Sequence, residues 1–183
     1  MKTIVYLQKI GDVDSFILIR LKKNLHWLVK EYAMKVKILS NPILIRDDEY
    51  IEVERQYDGE LILKRLEKTL TNPQKNKLLG IIDGDIKGMR KIHLFGLTNL
   101  KNSCALISIN RLRGSFYRKY EDNALFELRI LKEAVHELGH TFGLKHCKND
   151  CVMRYSKSLE EVDIRPKELC YDCEQELKRT LNT

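Results

Sequence analysis

No stretch of this 183-residue sequence reaches the roughly 18 consecutive apolar residues that a membrane-spanning helix needs. The N-terminus, Met1-Lys2-Thr3-Ile4-Val5-Tyr6-Leu7, is apolar for only a few residues before Gln8, Lys9 and Gly11-Asp12. That is too short for the apolar core of a secretory signal peptide and reads as a first strand. Proline and glycine are sparse, at three and nine residues, and neither gathers into a tract. With no internal repeat and no low-complexity segment, repeat arrays and linker-like chains are excluded. Cysteine is limited to five residues. The absence of a leader or a span implies a cytoplasmic setting, where reducing conditions favour metal ligands or buried thiols over disulfides.

What is abundant is charge. Charged residues make up 32% of the chain, above the usual value of about 25%, while 43% apolar content suffices for one hydrophobic core at this length. The net charge of +7 is spread along the chain rather than concentrated in one tract. Its densest stretch, Arg111 to Lys119, includes Phe116 and Tyr117 and reads as a solvated loop face in preference to a nucleic-acid patch.

Hydrophobic spacing gives the elements. After the first strand, Asp12 and Asp14 can cap a helix of about five turns with Ile17, Leu18, Leu21, Leu25, Leu28, Val29 and Tyr32 on one face. A short strand follows over 36–39, before Asn41-Pro42. Asp58-Gly59 opens a second helix with Leu61, Ile62, Leu66 and Leu70 inward, stopped by Asn72-Pro73. Residues 78–82 form a continuous apolar run ending in Asp83-Gly84-Asp85, the pattern of a buried parallel strand. Extended segments at 92–97 and 104–109, joined by 98–103, predict a hairpin that adds one antiparallel strand. From 123 to 144 the pattern is helical, with Leu125, Leu128, Leu131, Val135, Leu138 and Phe142 inward, Asp122 or Asn123 as cap, and Gly143 ending it in a left-handed turn. A last short helix is predicted from about 167 to 181.

Three of the five histidines fall within eleven residues: His136-Glu137-Leu138-Gly139-His140-Thr141-Phe142-Gly143-Leu144-Lys145-His146. On a helix His136 and His140 project from the same face, so both imidazoles can reach one metal ion. Gly143 lets the chain turn and bring His146 back to it. Three neutral histidines leave one position of a tetrahedral zinc open for water, which is the arrangement of a catalytic site. Glu137 stands one residue along, where a carboxylate can act as general base on a zinc-bound water. A second constellation, Cys147, Cys151, Cys170 and Cys173, has the spacings of a closed four-thiolate site, a structural zinc clipping a loop-rich region. Because His146 and Cys147 are adjacent, extended backbone there sends their side chains to opposite sides, and the two metals lie back to back. Cys104, His26 and His93 stand outside both sets, the first as a buried thiol and the others as surface or packing histidines.

The histidine string with a methionine shortly downstream resembles the metzincin signature. Cys147, the Cys-Val-Met at 151–153 and the late Cys170/Cys173 pair are similar to the archaemetzincins within that group, although the first cysteine pair and the Met-to-Cys170 gap are each one residue shorter than is common there. The resemblance implies that Met153 occupies a Met-turn beneath the catalytic zinc. It further implies that Tyr155 can be directed at the metal as a transition-state stabiliser, and that 92–97 is an edge strand accepting an extended substrate by strand addition.

The expected class is α/β (α+β): a metzincin-like mixed twisted sheet with one antiparallel edge strand, an active-site helix and a small zinc-clipped C-terminal subdomain. One catalytic domain is expected over 1–183, divided into 1–144 with the active-site helix and 145–183 with the structural zinc. The expected activity is peptide-bond hydrolysis with two Zn²⁺ per chain, a peptide or protein substrate, no nucleic-acid or membrane partner, and a monomeric state. The rival reading is a non-catalytic zinc-binding module using a basic surface on nucleic acid or a protein. A further enzymatic alternative is hydrolysis of another amide.

Overall fold

A computed structural model describes residues 2–88, 91–99 and 103–182. Its elements run β1 (Ile4–Ile10), α1 (Ser15–Asn24), α2 (His26–Tyr32), β2 (Lys35–Ile38), β3 (Tyr50–Ile51), β4 (Gln56–Asp58), α3 (Gly59–Thr69), β5 (Asn76–Ile82), β6 (Ile86–Gly88), β7 (Lys91–Leu94), β8 (Gly96–Thr98), β9 (Cys104–Ser108), α4 (Asn123–Thr141), α5 (Leu159–Ile164) and α6 (Tyr171–Asn182). The main sheet has the order β2-β1-β5-β9-β8, parallel throughout except that β8 runs antiparallel to β9. This is the mixed sheet with one antiparallel edge strand that the apolar runs predict. None of the described helices is long and apolar enough to cross a membrane.

The parallel strands are buried on both faces because helices cover both. Alternate residues of β5 divide accordingly: Leu79 and Ile81 join Val5, Leu7, Ala105 and Ile107 beneath α1 and α4, whereas Leu78 and Ile82 join Ile10 and Leu106 beneath α3. The connections begin with side-chain caps. Asp14 accepts from the Phe16 N–H, Asp58 from those of Glu60 and Leu61, and Asp122 from those of Ala124 and Leu125. Each cap satisfies helix N–H groups that have no partner within the helix.

Several details differ from the spacing argument. The predicted five-turn helix is two, because Leu25 has ψ of 2° and the Leu28 N–H bonds to the Leu25 carbonyl at 3.1 Å, a tighter turn that breaks the ladder. Leu25 and Leu28 are nonetheless both buried, and the Val29 side chain lies outside the described residues. In α3, Leu61 is exposed and Leu63 takes its place against the sheet. In α4 the N-terminal half turns Phe126 and Ile130 inward in place of Leu125 and Leu128, which are half-buried.

The 92–97 segment divides at Phe95. β7 joins a small second sheet of order β3-β4-β6-β7, and only β8 pairs with β9. The predicted link at 98–103 includes 100–102, which lie outside the described residues. The last helix begins at Tyr171, and α5 before it was not expected. Cations of α4 clamp α5: Arg129 makes a two-pronged pair with Asp163 at 2.6 and 2.7 Å, and Lys132 donates to the Val162 and Asp163 carbonyls at 3.0 and 2.7 Å. Lys132 thereby caps carbonyls at the α5 C-terminus, while Arg129 holds the Asp163 carboxylate.

Candidate metal centre

From Arg129 onward α4 is covered on all sides, and the histidines sit in this buried half. The helix ends in a reversal whose hydrogen bonds define it: Gly143 N–H to His140 O at 2.9 Å and Leu144 N–H to Gly139 O at 3.1 Å. Gly143 holds φ at +89°, a conformation that a residue with a side chain adopts only under strain. The turn buries Leu144, points its carbonyl at the His140 ring and returns His146 to the helix face.

His136, His140 and His146 thereby converge, with ligand nitrogens within 4.8 Å of one another. His136 Nδ1 donates to the Val152 carbonyl at 2.8 Å and His140 Nδ1 to the Leu144 carbonyl at 2.7 Å. The Val152 carbonyl, closer to His136 Nδ1 than the Arg165 guanidinium at 3.2 Å, and the Leu144 carbonyl assign the protons to Nδ1, so the two Nε2 atoms face each other at 3.1 Å as acceptors. A cation resolves that contact, and a backbone carbonyl on the far nitrogen is the usual support of a metal-bound histidine. Burial holds His136 well below the usual histidine range, with the Arg165 guanidinium adding to it; burial also lowers His140. Both rings are therefore neutral and available as ligands at neutral pH. His146 is exposed, its ring centroid 4.8 Å from that of His140 and 5.1 Å from that of Tyr155.

The cluster faces a cavity of about 750 Å³, bounded by β8, the α4 histidines with Glu133 and Glu137, and residues 155–157. Glu137 is buried at 5% exposure, and its carboxylate accepts from the Thr98 hydroxyl. Met153 is fully buried beneath α4, where a side-chain carbon built at Gly139 would overlap its Sδ. Tyr155, 40% exposed, stands at the cavity beside His146. His93 is exposed on the cavity wall, and His26 is exposed outside it.

The four remaining sulfurs of the motif, Cys147, Cys151, Cys170 and Cys173, also lie within 4.8 Å of one another. All are free thiols, the Cys147 and Cys170 sulfurs 3.7 Å apart. Backbone N–H groups point at sulfur: Asn149 at Cys147, and Met153 and Cys170 at Cys151, at 3.3 to 3.4 Å. These donors favour thiolates. Burial pushes Cys151 and Cys173 up; at Cys170 burial is outweighed by the Cys173 N–H and the Asn149 amide, and that thiol falls to about 7. Four sulfurs this close cannot all ionise without a cation among them, so the donor set fits a soft tetrahedral ion such as zinc. Cys104 belongs to neither cluster; it is buried in β9, and burial pushes its thiol up to about 12.

The two clusters share backbone. His146 turns to the cavity and Cys147 to the thiols, as their adjacency predicts, and the Cys147 N–H bonds to the Met153 carbonyl at 3.0 Å. Cys151 supplies a sulfur while the next residue, Val152, supplies the carbonyl that orients His136.

Two features escape the motif reading. Arg165 and Glu133, 1% and 4% exposed, form a 2.5 Å ion pair beside His136, and burial pushes the Glu133 carboxyl up while Arg165 opposes it. Arg165 also donates to the Arg154 carbonyl at 3.1 Å, tying the segment after Met153 to α4. Glu133 could have been suspected, since it precedes His136 by three residues and shares its helix face. The sequence carried no signal for Arg165. The second feature is the contact of β8 with Glu137.

Comparison with known proteins follows this geometry. The profile of peptidase family M54 matches residues 1–179. Archaemetzincin from Pyrococcus furiosus is 32% identical over 183 residues, covering 99% of this chain and 95% of the relative. A crystal structure of archaemetzincin from Archaeoglobus fulgidus, complexed with malonate, superposes with a TM-score of 0.79 at 32% identity over 94% of this chain and 99% of that one. Archaemetzincin from Methanopyrus kandleri gives 0.82 at 29% identity, covering 100% of this chain and 97% of the other.

Proposed function

We propose, on the premise that this chain belongs to peptidase family M54 and is a zinc-dependent peptidase, that His136, His140 and His146 hold its catalytic zinc and that Glu137 is the general base. The observation carrying this reading is the approach of two neutral Nε2 atoms at 3.1 Å in the wall of the cavity that Glu137 also lines. Zinc bound there supplies Lewis acidity, making water a better nucleophile and a carbonyl a better electrophile near neutral pH. Glu137 takes the proton released as water attacks the peptide carbonyl and delivers it to the leaving amine. The Tyr155 hydroxyl, at the cavity beside His146, is positioned to donate to the oxygen that gains charge in the transition state. Met153 forms the floor under the histidines.

Cys147, Cys151, Cys170 and Cys173 hold a second, structural zinc, giving two per chain, within a single domain divided into 1–144 and 145–183. A peptide substrate in preference to nucleic acid fits the basic stretch at 111–119, where Arg111, Arg113 and Lys119 are paired with Asp85, Asp83 and Glu160.

Two variants test the assignment on a diverse peptide mixture. Glu137→Gln is expected to retain two zinc ions and lose about 10² to 10⁴-fold in turnover, whereas His140→Ala loses one zinc together with turnover. Wild-type cleavage by zinc-loaded Glu137→Gln would remove the base assignment.

A further inference from the structure

We propose that the edge strand β8 is the mount of the general base, with Gly96 providing the space and Thr98 the hydrogen bond that hold the Glu137 carboxylate in its working position. Thr98 is then a positioning residue; the inference rests on the assignment of Glu137 as base. A glutamate on a helix has three side-chain torsions and fixes its carboxylate only if something outside the helix grips it. In this fold that grip comes from the sheet.

Gly96 and Thr98 are two residues apart in a strand, so they share one face, and Leu97 between them turns to the opposite one. Leu97 packs in the cluster beneath α3, which leaves the Gly96–Thr98 face toward α4. There the Thr98 hydroxyl donates to Glu137 Oε2 and lies 3.3 Å from the Glu137 carbonyl oxygen. A hydroxyl has one proton to give. It is committed to Oε2, the closer of the two acceptors. A side-chain carbon built at Gly96 would overlap Glu137 Oε1, Cγ and Cδ, so no other residue leaves the carboxylate where it is.

The mount is itself fixed. Gly96 and Thr98 pair with Ile107 and Ala105 of β9, both fully buried, and the Ser108 N–H bonds to the Phe95 carbonyl at 2.8 Å. Threonine suits the role because its branched Cβ restricts χ1 and so the direction of its hydroxyl. β8 takes in the last two residues of the 92–97 segment expected to pair with substrate, so a peptide paired there would lie at a distance from Glu137 set by the sheet spacing.

The test compares zinc-loaded wild type, Thr98→Val, Thr98→Ser and Gly96→Ala. Valine keeps the shape of threonine without its hydroxyl. Thr98→Val is expected to lower kcat about 10- to 100-fold with KM within about twofold, the size of one lost hydrogen bond to a charged group. Thr98→Ser recovers most of the loss. Gly96→Ala matches or exceeds the valine effect, with zinc content and melting temperature near wild type. Crystal structures of the zinc-loaded proteins read the carboxylate directly, and in Thr98→Val and Gly96→Ala it should leave the strand. Wild-type kcat in Thr98→Val, an equal loss in Thr98→Ser, or an unmoved carboxylate would overturn the proposal. If wild-type protein cleaves no peptide, the assignment of Glu137 as base fails, while the carboxylate position in the crystals still decides whether β8 holds it.

Discussion

The histidine cluster and the cysteine cluster meet at the peptide bond between His146 and Cys147, yet their surroundings are opposite. His136 and His140 project from the most buried part of the longest described helix, and His146 returns from the turn after it, onto a cavity of about 750 Å³. The cysteines come from a loop and the start of α6, in a region with few apolar side chains of its own. Helix and sheet already fix His136 and His140, so an ion bound there adds reactivity more than structure. Residues 145–170 have only the six-residue α5 as regular structure, so an ion bound by the thiols adds structure more than reactivity. The nitrogen donors thus lie on the rigid element and the sulfur donors on the weaker one.

The sharpest way to break this contrast is at the sulfur side. Cys170→Ser is expected to remove one zinc and lower the melting temperature by roughly 10 °C or more, because a structural zinc contributes folding free energy directly. Weaker metal retention at the histidines should follow, since Val152, which orients His136, follows Cys151, and His146 precedes Cys147. Unchanged zinc content and melting would mean that the thiols are not ligands.

Next in size is the buried pair that ties the two regions together. Arg165→Met should cost about 3–5 kcal/mol in urea unfolding by leaving Glu133 buried and unpaired. Adding Glu133→Leu should recover much of that loss, as a double-mutant cycle would measure. A smaller effect, about 1–3 kcal/mol, is expected for Gly139→Ala, because the added methyl meets Met153 Sδ even though alanine is the better helix former. A stabilised Gly139→Ala protein would argue against tight packing of Met153 under the helix. Smallest is Asp122→Ala, at about 1 kcal/mol for a lost cap at the far end of α4, with zinc content and turnover unchanged.

How much was legible in the sequence follows the distance between interacting residues. The two donor clusters were legible because a helical turn, a glycine reversal and a CxxC pair are local devices. The parallel core was legible because residues 78–82 and 104–107 carry no polar side chain. The small sheet was not, since β3, β4 and β6 are two or three residues long and give no period to detect. Leu25 was hidden because a helix can tighten at one residue while its apolar spacing stays intact. The Arg165–Glu133 and Thr98–Glu137 contacts span 32 and 39 residues and arise only once α5 and β8 are packed on α4.

The central claim, that the open nitrogen site does chemistry while the closed sulfur site holds the fold, is tested most directly by graded chelation. A mild chelator applied to protein carrying two zinc ions, with zinc content, peptide turnover and melting temperature followed together, should remove one zinc and all turnover while the melting temperature changes by only a few degrees. Added zinc should restore turnover. Loss of the first zinc with turnover intact, or with unfolding of the C-terminal region, would contradict the account.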